Sequence, residues 1–392
     1  GKTSVITRKI AHLVQNCGIQ ARHIVAMTFT NKAAREMKER IVLRAGEGGR
    51  RVLVRTFHGF CYDVIKTEAK RHSDLFADFT IFDEADCLAI IRDLLSEDWP
   101  VRSVQSLIAL LKEVRTAYGF QTEDAEADYK AALQKLMEED PAAVRKLAVT
   151  EHYQFYHQLF ESWQVWGPTI AARYDARLHD VHGLDFTDLI VQAEALFAQE
   201  NIAVKWARRF LYINIDEVQD TSELEYRILS RIFGSSRLLL CGDYFQTIYE
   251  WRGAKPEYFV DFNLHYPSCE TIILDENYRS TPEILDLGNA LIKHNQLRVD
   301  KDMFTRNPSG IKVIHYHGKS EADEVKWITD RISYLVEERQ ASLNDIAILY
   351  RSNFLSRYIE QGLINEGIDY TIYGGLDRKS TRLNSSHGYR SR

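Results

Sequence analysis

The sequence predicts an α/β fold: a parallel sheet covered by helices, interrupted by a long helical insertion and followed by a second α/β unit. Three observations carry this. Short apolar runs alternate with amphipathic stretches through the first quarter of the chain. Strand signals vanish from about Asp83 to Asp180 and return from Leu211 onward. A length of 392 residues calls for two to four domains, and 45% hydrophobic residues supply their cores.

Taken in order, Val5, Ile6, Ile10, Leu13 and Val14 recur at helical spacing and stop near Gly18, a suitable helix end. The apolar run from His23 to Phe29 predicts a buried strand. Residues Asn31 to Ile41 predict a helix with Asn31 as candidate N-cap, and Val52 to Phe57 a second strand. A β-α-β-α order implies parallel strands with helical crossovers. Long helical stretches then fill the region from Asp83 to Asp180. Strands are predicted again at Leu211 to Ile215, Leu238 to Cys241 and Thr271 to Leu274. A second unit begins after Tyr278, with strands at Lys312 to Tyr316 and Ile346 to Tyr350 and helices at Glu321 to Glu338 and Leu355 to Glu366. The last stretch, Asp377 to Arg392, holds one Leu and many Ser and Arg. Its DRKSTRLNSSH resembles a translated sequencing adapter, so it is predicted to be a non-native tail outside the fold.

Composition narrows the class. The net charge of -6 argues against a surface coated in basic residues, but leaves room for a local basic groove. Five scattered cysteines (Cys17, Cys61, Cys87, Cys241, Cys269) fit neither a zinc pattern nor a disulfide framework, and predict reduced, mostly buried thiols in a cytoplasmic protein. No apolar run approaches the roughly 18 residues that span a membrane. The chain opens on Gly1-Lys2-Thr3 without a Met, so an earlier segment is expected.

Four segments carry chemistry. Asp216-Glu217-Val218-Gln219-Asp220 follows the apolar run FLYINI. Two adjacent carboxylates at the end of a buried strand are costly, and a Mg²⁺ ion gives them a purpose: the Asp holds the metal and the Glu activates a water. The plainer alternative is an exposed strand end leading into a helix N-terminus, where acids are welcome. Gly1-Lys2-Thr3-Ser4 matches the end of a phosphate loop, GxxxxGK[ST], with a helix directly after it. Alone the match is weak; with the later strand-end pair it becomes the double signature of a P-loop NTPase. In LLLCGDYFQTIYEWRGA, Gln246 is a candidate phosphate or water sensor, Arg252 a candidate charge neutraliser, and Trp251 a candidate base-stacking surface. Tyr249 and Trp251 as core aromatics and Arg252 as a structural ion pair remain the alternatives. In LDENYRSTPEI, Tyr278 and Arg279 sit beside a helix start at Ser280-Thr281-Pro282 with Glu283, suited to a base and a phosphate, or simply flanking a cap.

In this order the segments resemble the motifs of superfamily 1 DNA helicases of the UvrD/Rep/PcrA type. GKT resembles the end of motif I, MTFTNKAAREMKERI motif Ia, and TFHGFC the next DNA-contacting motif. GLDFTDLI resembles the segment returning from the insertion. IDEVQDTSELEY resembles motif II, GDYFQTIYEWRGA motif III, LDENYRSTPEIL motif IV, and Asp345 to Gly375 the early second motor domain. The resemblance implies a RecA-like P-loop NTPase domain at residues 1–75 and 184–276 and a helical accessory domain at 76–183. It also implies the first part of a second RecA-like domain at 277–376. It implies ATP and Mg²⁺ as cofactors. Gly1, Lys2, Thr3 and Ser4 would hold phosphate, Thr3 and Asp216 the metal, Glu217 would be the general base and Gln246 the coupling residue. Arg252 and Arg279 would meet the γ-phosphate and Tyr278 the adenine. Thr56, Phe57, His58, Tyr249 and Trp251 would line the DNA path, with Thr28, Asn31 and Lys32 near the DNA backbone. The implied activity is 3′ to 5′ translocation on single-stranded DNA in repair, replication or recombination. Strand junctions and repair or replication proteins would be its partners, with no membrane.

Some positions depart from the family pattern. Gly59 and Thr247 replace usual serines, and Glu225 a usual Gln. The adenine-recognition segment and first motif I glycine before Gly1 are expected to be missing. So are motifs V and VI with their arginine finger, and the second accessory domain, beyond Leu376. On that reading this stretch alone is expected to be nearly inactive. A helicase subunit of a RecB/AddA-type helicase–nuclease is the first alternative, and a non-catalytic DNA-binding module with the same fold the second. A small-molecule P-loop kinase fits poorly with Thr56 to His58 and Tyr249 to Trp251.

Overall fold

The computed structural model describes residues 1–70, 78–95, 99–148, 156–234, 236–247, 253–295, 301–350 and 353–372. The chain forms two compact units, one of residues Gly1–Pro308 and one beginning at Ser309.

The first unit is built on a four-stranded, all-parallel sheet. Its strands are β1 (Ile24–Thr28), β2 (Leu53–Thr56), β5 (Tyr212–Ile215) and β6 (Arg237–Leu240), in the order β2-β1-β5-β6. Met27 lies beside Arg55 on one side and Ile215 on the other, and Ile215 beside Leu240. Side chains alternate between two covered faces, as a buried parallel sheet requires. On one face Ile24, Ala26, Val54 and Tyr212 meet α1 (Lys2–Gln15) and α2 (Asn31–Ala45) through Ile6, Ile10, Met37 and Ile41. On the other, Val25, Met27, Ile213 and Ile215 meet α3 (Phe57–Ala69), α9 (Phe186–Phe197), α10 (Glu200–Arg209) and α11 (Glu223–Phe233). Phe60, Phe197, Trp206 and Phe210 pack at its centre, Phe60 and Phe197 stacked and the other pairs edge-on or tilted, with ring centroids 5.8–6.4 Å apart.

The insertion is helical as predicted. It comprises α4 (Glu84–Leu94), α5 (Val101–Tyr118), α6 (Ala125–Glu139), α7 (Pro141–Ala148) and α8 (Tyr156–Asp180). These close on their own core around Leu107, Leu111, Tyr129, Leu133, Trp163 and Tyr174. Its entry and exit are tied by a parallel pair, β3 (Thr80–Ile81) with β4 (Gly183–Leu184). Beyond β6 come α12 (Glu257–Val260), α13 (Phe262–His265) and α14 (Pro282–Ile292).

The second unit holds α15 (Glu321–Glu337) and α16 (Asn353–Asn365), packed together through buried Thr329, Ile332 and Leu363. Gly362 allows their close approach, since a Cβ there would fall 2.1 Å from Val325 Cγ1.

Two expectations need correction. The predicted strands Thr271 to Leu274, Lys312 to Tyr316 and Ile346 to Tyr350 form no ladder among the described residues. Their apolar runs suit strands covered on both faces, but no neighbouring strand pairs with them, and Ile272, Ile314 and Leu349 are exposed. The cap of α2 is Thr30, not Asn31. Thr30 keeps an extended backbone and accepts the N–H of Ala33 at 3.1 Å, whereas Asn31 is already helical. The thiols are all free, with Cys61 and Cys87 buried and Cys17 and Cys269 exposed. The predicted tail from Asp377 lies outside the described residues.

Candidate nucleotide and DNA site

The C-terminal ends of β1, β5 and β6 open on one edge of the sheet, where ligands of parallel α/β folds bind. The strand β5 leads directly into Asp216, which is buried and whose backbone N–H donates to Met27 O at 2.8 Å. At Glu217 the chain turns through a left-handed conformation, φ 55° and ψ 41°. For a residue with a Cβ this costs about 1–2 kcal/mol, and such strain collects where a side chain must be aimed.

Glu217 is aimed at the start of α1. Its Oε2 accepts from Lys2 Nζ at 2.6 Å, and Asp216 Oδ2 accepts from the Thr3 hydroxyl at 2.7 Å. The two predicted halves of the phosphate site, more than 200 residues apart, therefore meet through two side-chain bonds. Gly1 caps the helix with its carbonyl, which accepts from the N–H groups of Ser4 and Val5. Burial raises the Asp216 carboxyl above its usual range, opposed by the Thr3 hydrogen bond. Asp220 is pushed up to about 6 by burial and by the charge of Glu217. Its Oδ1 is buried without a partner among the described residues.

A relay runs from this pair to the next strand. Gln219 donates to Glu217 Oε2 at 3.0 Å, and its Oε1 accepts the backbone N–H of Asp243 at 2.9 Å. Gln246 Nε2 donates to Asp243 Oδ2 at 2.9 Å. Gly242 is needed where the two strand-end loops touch: a Cβ there would lie 2.9 Å from Gln219 Oε1 and from Val218 Cγ1.

The structure thus gathers Lys2, Thr3, Asp216, Glu217 and, through Gln219 and Asp243, Gln246. Tyr278 and Arg279 make local contacts instead. Tyr278 is 72% exposed with its hydroxyl on Glu276, and the Arg279 N–H donates to Asn277 Oδ1. Tyr249, Trp251 and Arg252 lie outside the described residues.

On the predicted DNA side, Thr28 is buried at the end of β1, and Asn31 and Lys32 are exposed at the start of α2. The Thr56 hydroxyl is occupied as the cap of α3, accepting the Gly59 N–H at 3.1 Å. Phe57 and His58 are half-buried, and the His58 ring meets Phe186 edge-on at 6.0 Å. Phe186 is 52% exposed, and was not predicted as a contact although GLDFTDLI was singled out. An apolar ring directly after the capping aspartate of a helix was the available signal. Gln219 had one too, lying inside the acidic motif. Lys301, which reaches Asp243 from 58 residues away, had none.

The paired strand-end carboxylates, the helix-starting Lys-Thr and the parallel sheet with a helical insertion define a RecA-like nucleotide-binding domain. Family comparison agrees: residues 1–267 match the UvrD/REP helicase N-terminal domain and residues 272–378 the UvrD-like helicase C-terminal domain. The chain belongs to the UvrD/REP helicase family. It is 34% identical to the ATP-dependent DNA helicase PcrA of Bacillus subtilis over 97% of this chain and 48% of that protein. It is 34% identical to the ATP-dependent DNA helicase Rep of Escherichia coli over 96% and 52%, respectively. It is 33% identical to the ATP-dependent DNA helicase UvrD1 of Mycobacterium tuberculosis over 97% and 48%. The chain therefore spans about half the length of the curated relatives it matches. Among the described residues no helix is long and apolar enough to cross a membrane.

Proposed function

We propose that this chain supplies the first catalytic half of an ATP-hydrolysing motor that moves 3′ to 5′ on single-stranded DNA and separates strands at junctions. Repair, replication or recombination is its setting. The observation that carries the reading is the double contact Lys2–Glu217 and Thr3–Asp216, which joins a phosphate-binding helix start to a strand-end acid pair.

The residues fit a Mg²⁺–nucleotide. Thr3 and Asp216 offer adjacent hard oxygens, and no group of three metal-binding side chains occurs among the described residues. Mg²⁺ is usually held by one or two protein oxygens plus waters and phosphates rather than by a protein cage. When bound there, it neutralises phosphate charge. Lys2 binds the terminal phosphates, and the first amides of α1 add to the anion site. Glu217 leaves Lys2 as phosphate takes over that partner, and accepts the proton of the attacking water. Gln246 reports the state of the phosphate to the DNA-facing segment that follows it. Tyr278 stacks on the adenine, and Arg279 and Arg252 meet the γ-phosphate. Residues 1–75 and 184–276 form the motor domain, 76–183 its accessory domain and 277–376 part of the second motor domain.

For DNA, we place Phe57, His58 and Phe186 on one aromatic face, with Thr28, Asn31, Lys32 and Thr56 flanking the backbone, and assign base stacking also to Tyr249 and Trp251 on their motif alone. Stacking on such faces contributes roughly 1–3 kcal/mol per base and tolerates any sequence.

The test is Glu217→Gln in the protein at its natural length. Single-strand-stimulated ATP turnover should vanish while nucleotide binding persists. Wild-type turnover in that variant would refute the reading.

A further inference from the structure

Asp243 sits in the loop just beyond β6 and is 8% exposed. Both of its oxygens are engaged. Oδ2 accepts from Gln246 Nε2 at 2.9 Å, and Oδ1 accepts from Lys301 Nζ at 2.9 Å and from the Phe245 N–H at 3.2 Å. The Lys301 side chain is 16% exposed, and its ammonium also lies 4.9 Å from the centroid of the Phe245 ring. This is no loose surface pair. The lysine is held by a carboxylate and an aromatic face.

The chemistry of the glutamine amide makes the pair consequential. An amide has one donating end and one accepting end, whereas an ionised carboxylate only accepts. Opposite Asp243 the Gln246 amide must turn its NH₂ inward. That leaves Oε1 as the end able to accept a hydrogen bond from a water or hydroxyl. The orientation holds only while Asp243 stays in place with its charge balanced. Without Lys301 the carboxylate keeps neutral partners in a poorly hydrated position, which favours its swinging toward water and releasing Gln246.

We propose that Lys301 is a positioning residue for nucleotide hydrolysis, acting through Asp243 to hold the Gln246 amide with its oxygen toward the reaction. The proposal rests on the hydrolytic reading above and adds to it a residue from beyond the sequence motifs.

The experiment compares Lys301→Met and Lys301→Arg with the parent protein at natural length. It measures kcat and KM for single-strand-stimulated ATP hydrolysis, affinity for a fluorescent ADP analogue, and melting temperature. We expect Lys301→Met to lose about tenfold or more in kcat with KM, ADP affinity and melting temperature near the parent values. Lys301→Arg, which keeps a cation beside Asp243, should recover most of the rate. A Lys301→Met enzyme with parental kcat overturns the proposal. So does a loss of kcat accompanied by equal losses in ADP affinity and melting temperature, which is what mere structural support produces. A Lys301→Arg enzyme as slow as Lys301→Met also counts against it. Glu217→Gln, run alongside, separates the two levels. If it turns over normally the hydrolytic reading itself fails; if it is dead while Lys301→Met is normal, only the role of Lys301 is lost.

Discussion

Burying a carboxylate is costly unless its charge is met or removed, and Glu225 shows the second solution. It closes a capping box at the start of α11, accepting the Ser222 N–H at 2.9 Å. Burial pushes its carboxyl up to about 7, with the Asp220 charge adding to the rise. Burial, with the charges of Glu225 and Glu223, pushes Glu113 up to about 8. An unfolded glutamate titrates near ~4.3. Both groups therefore give stability that is complete below that value and is lost as pH climbs through about 7 and 8. Glu225→Gln keeps the accepting oxygen and removes the charge. It should melt higher than the parent at pH 8, by a margin that narrows at pH 5; an equal margin at both would refute the assignment. The residues legible in the sequence were those with paired chemistry at element boundaries: Lys2 and Thr3 at a helix start, Asp216 and Glu217 at a strand end. Asp243 and Lys301 were not, because an ion pair between distant loops leaves no periodic or local trace.

At the scale of elements, the joint between insertion and sheet domain is ionic. Lys112 on α5 is 1% exposed and its ammonium lies 3.0 Å from Asp175 on α8 and 2.8 and 2.7 Å from Asp185 and Asp188 at the start of α9. Burial alone would lower its pKa, but Asp188, Asp175 and Asp185 outweigh that and hold it well above the ordinary lysine value. Lys112→Met removes the cation and leaves three converging carboxylates. Denaturant titration should show a loss of about 3–5 kcal/mol, and a loss under about 1 kcal/mol would contradict this account. Helices were the best-read elements, since their apolar spacing spans many residues. Strands were read well only where they found partners. The runs at Thr271, Lys312 and Ile346 carry the same apolar pattern as β1, yet pairing depends on a neighbour that the local sequence does not describe.

At the scale of the molecule, the described residues of the first unit form three separate cores: one on each face of the sheet and one inside the insertion. A defect in one should stay there. Leu133→Ala, deep in the insertion, should cost about 2–5 kcal/mol locally. Hydrogen exchange should then quicken in α5, α6 and α8 while β1 and β5 keep parental protection, and equal quickening in the sheet would show one cooperative core instead. The parallel sheet and its interruption by helices were legible at this scale, because composition changes over a hundred residues are hard to miss. The closing of that interruption was not. The strands β3 and β4 are only two residues each, yet Thr80 donates to His182 O at 3.0 Å and pairs beside Gly183. Chain leaves and re-enters the sheet domain at neighbouring points. To the sheet, the hundred-residue insertion has almost no length: it spans one strand spacing, about 4.8 Å. Such a module can lengthen, shorten or be exchanged between relatives without moving β2 or β5, so long as whatever replaces it brings a cation for Asp185 and Asp188.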